Sequence, residues 1–185
     1  MSKITTVTVL DIETTGLLEP EHRIIELYAG KYEFPSGKLR SELNLRIDPQ
    51  RSIAADAYRV HNISGMDLIG KPVFEDVAGD IFAFLNDADL LVGHNSDEFD
   101  LPFISQELRR VGLPIIVKPS FDSMSCKWAT PSGKPPSLQE LCLACDTVYD
   151  PTKAHAASYD VEVLADCFFK ANAWGWIELP KLPLA

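Results

Sequence analysis

The chain is short of three things: cysteine, positive charge and long apolar runs. Its four cysteines are Cys126, Cys142, Cys145 and Cys167. Cys142 and Cys145 form one C-x-x-C inside the helical pattern Ser137–Cys145, and no second pair at ligand spacing accompanies it. That excludes a structural zinc site and predicts reduced thiols packed in a cytosolic core. No apolar stretch approaches the roughly 20 residues of a membrane span. Met1-Ser-Lys-Ile4 precedes the first strand without an apolar signal region, so the expectation is a cytoplasmic protein. Lys and Arg number 17 against 27 Asp and Glu, a net charge of −10. This balance opposes a protein that wraps long nucleic acid through its phosphates. It permits one that grips a strand end, where bound cations supply the positive charge.

What is present is an ordinary globular composition, 46% hydrophobic and 24% charged, in a length that fits one domain with a sizeable core. A β-branched, apolar run reads as a first strand over Thr6–Asp11, with further strands at Ile24–Phe34 and Leu39–Ile47. Pro35-Ser-Gly-Lys38 is the turn between the latter two, so the opening third is an antiparallel meander. A helix is predicted near Ala54–Val60. An amphipathic helix follows over Val73–Leu85, where Val73, Val77, Ile81 and Phe84 share a face, and then a buried strand at Leu90–Gly93. Asp100 and Pro102 open a helix that runs to Gly112. Pro131–Pro136 reads as a loop, Ser137–Cys145 as a helix, and the last helix carries Val161, Leu164, Ala165 and Phe168 on one face. The pattern predicts an α/β fold, a mixed sheet flanked by helices, with one domain over residues 1–178 and a tail over 179–185.

The chemistry concentrates in three short pieces: Val9-Leu-Asp-Ile-Glu-Thr-Thr-Gly16, His94-Asn-Ser-Asp-Glu-Phe-Asp100 and His155-Ala-Ala-Ser-Tyr-Asp160. Side chains two apart on a strand share a face. Asp11 and Glu13 therefore emerge together at the strand end and repel unless something positive lies between them. Hard divalent cations with oxygen ligands, Mg²⁺ or Mn²⁺, suit that place. Taken alone, the pair could equally be a strand-end turn with Asp11 as a cap and Glu13 exposed. Two more acids shift the balance: Asp100 at a helix start immediately after the fourth strand, and Asp160 in the first turn of the last helix. His155 lies in the loop leading into that helix. Four carboxylates and one imidazole are what metal-assisted phosphodiester hydrolysis requires. Two cations clamp the attacking and leaving oxygens, and a histidine, with its ordinary pKa near neutrality, suits the base.

At these residues the sequence resembles the DEDD exonucleases of the histidine subtype, which include bacterial proofreading subunits and RNase T-like enzymes. The resemblance covers nearly the whole chain. Asp11-Ile-Glu-Thr-Thr-Gly16 looks like the first motif, His22-Arg-Ile-Ile-Glu-Leu27 like the second strand, and Val60-His-Asn-Ile63 like a family loop. Phe121-Asp-Ser-Met124 and Ser137-Leu-Gln-Glu-Leu-Cys142 have counterparts, and His155 to Asp160 has the third motif's spacing. The resemblance implies an RNase H-like mixed five-stranded sheet, the antiparallel meander plus parallel strands. It also implies a 3′→5′ exonuclease that releases nucleoside 5′-monophosphates from single-stranded DNA. Asp11, Glu13, Asp100 and Asp160 would hold two divalent ions, with His155 as base. Thr14, Thr15, Gly16, Leu17, His61, Asn95 and Phe99 are the expected contacts to the terminal nucleotide.

Ser96, Asp97 and Glu98 put three residues between the His-Asn and Phe-Asp pairs of the second motif, where proofreading subunits usually have two. That longer form is similar to TREX-type exonucleases and exonuclease I. With the absence of a polymerase-binding C-terminal region, it favours a free-standing exonuclease. A 3′ exoribonuclease of the same fold and a polymerase-associated proofreading subunit are the alternatives, with replication or repair proteins as partners. A non-catalytic docking subunit would have no need of the intact acids.

Several polar residues in these motifs have plainer readings. Asp97 and Glu98 read as solvated loop charges. His22, His61 and His94 belong to structural or substrate-contact roles, since hard cations prefer oxygen. Asn95 either bonds a nucleotide or ties down its own loop. Phe99 either stacks on a base or packs in the core. Gly16 is expected to let the nucleotide approach the backbone closely. The tail, Leu179-Pro-Lys-Leu-Pro-Leu184, is expected to cover the core; the other reading is a peptide that docks on a sliding clamp.

Overall fold

Alternation along one central strand decides the architecture. The computed structural model describes residues 3–17 and 20–182. Five strands, β1 (Thr6–Thr14), β2 (Ile24–Glu33), β3 (Leu39–Arg46), β4 (Leu90–Gly93) and β5 (Ser120–Asp122), form one sheet in the order β3-β2-β1-β4-β5. The first three are antiparallel, while β4 runs parallel to β1 and β5 parallel to β4. The helices are α1 (Ala55–His61), α2 (Phe74–Asn86), α3 (Asp100–Arg110), α4 (Leu138–Ala144) and α5 (Ala157–Ala173). This is the RNase H-like mixed sheet the sequence implied.

Val7 and Val9 of β1 pack against Val161, Leu164 and Phe168 of α5. The alternate residues Leu10 and Ile12 pack on the opposite face against Phe74 and Ile81 of α2 and Phe103 and Leu108 of α3. Each fully buried side chain of this kind contributes about 1.5–3 kcal/mol. A slip of one residue would turn both sets the wrong way, so the register is firmly specified. Asp11 and Glu13 continue the Val7–Val9 parity and come out on the side of α5.

Two expectations need correction. The first strand runs on past Asp11 to Thr14, because β2 keeps pairing with it: Glu13 lies opposite Glu26, and the register shifts only between Glu13 and Thr14. The acid pair therefore lies at the end of a strand that stays paired, as expected. Asp100 does not follow the fourth strand immediately, since residues 94–99 intervene between β4 and α3. The fifth strand is the three-residue β5, too short to carry a periodic signal.

Other expectations hold. Ser137 starts α4 with a capping box, its Oγ accepting from the Glu140 amide at 3.3 Å while Glu140 Oε2 accepts from the Ser137 amide at 2.8 Å. All four cysteines are buried free thiols. Ile177 and Leu179 pack against the α5 side of the core, in the direction expected of a covering tail; Leu184 lies outside the described residues. No helix among the described residues is long and apolar enough to cross a membrane.

Candidate functional site

The acids of three distant segments meet in one cleft of about 750 Å³, lined by Asp11, Glu13, Asp100 and Asp160 with His155. Ile12, the residue between the first two acids, donates its amide proton to Asp100 Oδ1 at 3.0 Å. The bond brings the first residue of α3 against the β1 backbone. The His155 amide donates to Asp160 Oδ2 at 2.9 Å, closing the loop onto the first turn of α5. His155 itself has a left-handed backbone, φ 62°, and is exposed at the rim of the cleft that it lines.

The electrostatics are those of crowded carboxylates. Burial, then the neighbouring Asp100, Glu13 and Asp160, hold the Asp11 carboxyl well above its ordinary range. Burial and the charges of Glu26, Asp160 and Asp100 push Glu13 up to about 8. Burial pushes Asp100 up to about 7, opposed by its own and the Ile12 amide. Burial also raises Asp160, with the His155 amide and imidazole opposing. Among the described residues no three acid, histidine or cysteine side chains converge closely enough for a ready-made cation cage. Asp100 Oδ1 and Asp160 Oδ2 are turned to amides. Yet Asp160 Oδ1 is buried with no hydrogen-bond partner among the described residues. An all-oxygen donor set with an orphaned carboxylate oxygen fits a hard divalent cation.

The expected nucleotide contacts separate into two groups. Thr14, Gly16, Leu17, His61, Asn95 and Phe99 line the cleft. Thr15 does not: it is fully buried, its hydroxyl 3.0 Å from His22 Nδ1 and accepting from the Arg23 amide at 3.0 Å. The Thr14 hydroxyl is also taken, donating to the Gly16 carbonyl at 2.6 Å. These hydroxyls build the turn. Gly16 makes room for a side chain of the protein: a Cβ there would meet His22 Cε1 at 2.2 Å.

His61 is buried, and its Nδ1 accepts from the Ile63 amide at 3.0 Å, so its proton sits on Nε2, 3.2 Å from the Thr14 carbonyl. Burial lowers its pKa. Phe99 packs on Phe103, with ring centroids 4.9 Å apart, and also lines the cleft. Asp97 and Glu98 are exposed, as expected.

The sequence reading missed the residues behind the site. Asp122 accepts from the amides of Asn95 at 2.9 Å and Asp97 at 3.1 Å, anchoring the loop that leads to Asp100. Val60 and Ala57 of α1 line the same cleft with Leu17 and add apolar surface to it. Glu26 lies in the His22–Leu27 segment that resembles the family's second strand, and it stands opposite Glu13.

A family model described as an RNase T-type exonuclease matches residues 8–168. DNA polymerase III subunit epsilon of Rickettsia felis is 32% identical over 167 residues, covering 86% of this chain and 71% of that protein. The Haemophilus influenzae subunit epsilon is 31% identical over 169 residues, covering 86% and 64%. Among solved structures, E. coli exonuclease I in complex with a dT13 oligonucleotide superposes with a TM-score of 0.78 at 16% identity over 91% of this chain. The zinc-bound form of an E. coli exonuclease I–ssDNA complex superposes at 0.79, 15% identity and 93%. The chain spans 41% of the length of each of these exonuclease I chains. Through the family match over most of its length and its identity to the epsilon subunits, this chain belongs to the DEDD-type 3′→5′ exonuclease family.

Proposed function

We propose that this chain hydrolyses single-stranded DNA from the 3′ end, releasing nucleoside 5′-monophosphates, with two divalent cations, Mg²⁺ or Mn²⁺, held by Asp11, Glu13, Asp100 and Asp160. The observation that carries the reading is the meeting of four acids, one with an orphaned oxygen, in a cleft that Leu17, Val60 and Phe99 also line. When bound, such cations supply charge neutralisation for the scissile phosphate and acidify water. The chain's own residues do the rest. The Asp100–Ile12 bond ties the start of α3 to the strand that carries Asp11 and Glu13. His155, on a loop with its amide tied to Asp160, takes the proton from the attacking water at an imidazole nitrogen. Leu17, Val60 and Phe99 cover the terminal base by apolar contact, which asks for no base identity.

The relatives favour a second reading, a proofreading subunit bound to a replicative polymerase, because the epsilon subunits are named for that assembly. Both readings share the reaction. The deciding test compares matched single-stranded DNA and RNA oligonucleotides with Mg²⁺ or Mn²⁺. Faster loss of 3′ mononucleotides from DNA is expected; preference for RNA, or hydrolysis of neither, overturns the proposal.

A further inference from the structure

α5 begins without a cap of its own. Its N-cap is Ala156, which offers no side-chain acceptor, although the first amides of a helix need one. The acceptor comes from the sheet instead. Glu26 Oε2 accepts from the Ala157 amide at 3.3 Å, across 131 positions of sequence, and Glu26 Oε1 pairs with Arg46 Nε at 2.7 Å. Arg46 lies opposite Glu26 in the β2–β3 register. Glu26 is only 7% exposed and stands directly opposite Glu13. Like charges placed opposite each other on a sheet destabilise it, so an acid at this position needs a compensating role. Its two oxygens are both occupied, one by a guanidinium that neutralises it and one by a helix terminus whose partial positive charge favours a carboxylate.

We infer that Glu26, braced by Arg46, is a positioning residue. It caps α5 from the neighbouring strand and thereby sets where Asp160 and the His155 loop stand relative to Asp11 and Glu13. Asp160 lies in the turn that this cap begins, and the His155 amide bonds to Asp160, so the cap fixes both through backbone. Release of Ala157 lets that turn fray and moves the imidazole off the attacking water. The inference rests on the exonuclease reading for its effect on rate, and on geometry alone for the cap.

The experiment is a double-mutant cycle between Glu26→Ala and His155→Ala on a 5′-labelled oligonucleotide, with Glu26→Gln alongside and amide exchange at Ala157 measured in each protein. Misplacing a catalytic group by about 1 Å costs roughly 10²-fold, so Glu26→Ala is expected to lower kcat by about that factor with little change in KM. His155→Ala should then cost far less in the Glu26→Ala background than in wild type. Glu26→Gln keeps an oxygen for the Ala157 amide and should recover most of kcat and of the exchange protection. Independent, multiplying effects of the two alanine variants, or unchanged protection of Ala157 in Glu26→Ala, overturn the positioning role. If the wild type hydrolyses no 3′ end, the exonuclease reading falls instead, and the exchange measurement still decides the cap.

Discussion

The amide of Ile12 and the carboxylate of Asp100 are joined by a 3.0 Å hydrogen bond across 88 positions of sequence. Since Ile12 separates Asp11 from Glu13, this bond makes three acids from two segments into one rigid unit. It also separates the structural from the chemical duty of Asp100, which can be tested.

Asp100→Asn keeps a carbonyl oxygen for the Ile12 amide and removes the charge. Hydrolysis should fall by at least roughly 10²-fold, the scale for losing one fixed electrostatic contact in an active site. The cation-free protein should melt a few degrees higher, since about 1 kcal/mol of relieved repulsion shifts a domain of this size by about 2–4 °C. Asp100→Leu should instead melt lower, the orphaned buried amide costing about 1–3 kcal/mol. Retained activity in Asp100→Asn would remove this carboxylate from the chemistry.

The raised carboxyls set a pH dependence. Glu13, at about 8, and Asp100, at about 7, hold protons in the folded state that the unfolded chain has already released. Where the folded state binds more protons, stability falls as pH rises. The cation-free protein should therefore be stabler at pH 5 than at pH 8, losing stability across that interval. Saturating Mn²⁺ should weaken or reverse the trend, because it binds the deprotonated acids. Melting curves that rise from pH 5 to pH 8 without cation would contradict the carboxylate assignments.

His155→Ala should lower the rate by roughly 10²–10⁴, the range for general base catalysis. Mn²⁺ should still stabilise that variant as it does the wild type, read as the shift in melting temperature. Loss of the Mn²⁺ shift along with activity would place His155 among the cation ligands.

Gly16→Ala tests the turn. The added Cβ would stand 2.2 Å from His22 Cε1, so the ring must move and release the Thr15 hydroxyl. Overpacking of this kind costs about 1–3 kcal/mol. The turn borders the cleft and carries no acid, so KM for an oligonucleotide should rise more than kcat falls. A variant with wild-type KM and melting would show that this turn does not shape the cleft.

Deleting the residues from Pro180 onward tests the tail. Leu182 is half-buried and the preceding Leu179 packs on the core. The truncated chain should melt a few degrees lower, by the loss of about 1 kcal/mol of apolar burial. An unchanged melting curve would favour the docking peptide.

The parts legible in the sequence are those where one residue's neighbours along the chain decide its role. Asp11 and Glu13 share a face by strand parity, Asp160 falls in a first helical turn, and Ser137 with Glu140 announces a helix start. The parts that escaped depend on pairing between distant segments. β5 has three residues and owes its place to β4. Thr15 lies in the turn that the family resemblance assigns to the terminal nucleotide, yet the Arg23 amide and His22 take its hydroxyl inward. Glu26 and Asp122 lie in segments that resemble the family's, but only the register of β1 on β2 and the amides of residues 95 and 97 give them their partners.

The central claim is that these acids form a cation-dependent site that removes nucleotides one at a time from a 3′ end. A 5′-labelled single-stranded oligonucleotide, sampled over time with Mn²⁺, with EDTA and with the Asp11→Asn variant, tests it most directly. A ladder shortening by single nucleotides is expected with Mn²⁺ alone, and intact substrate with EDTA or the variant. Immediate release of a labelled mononucleotide, internal fragments, or shortening that survives EDTA would contradict it.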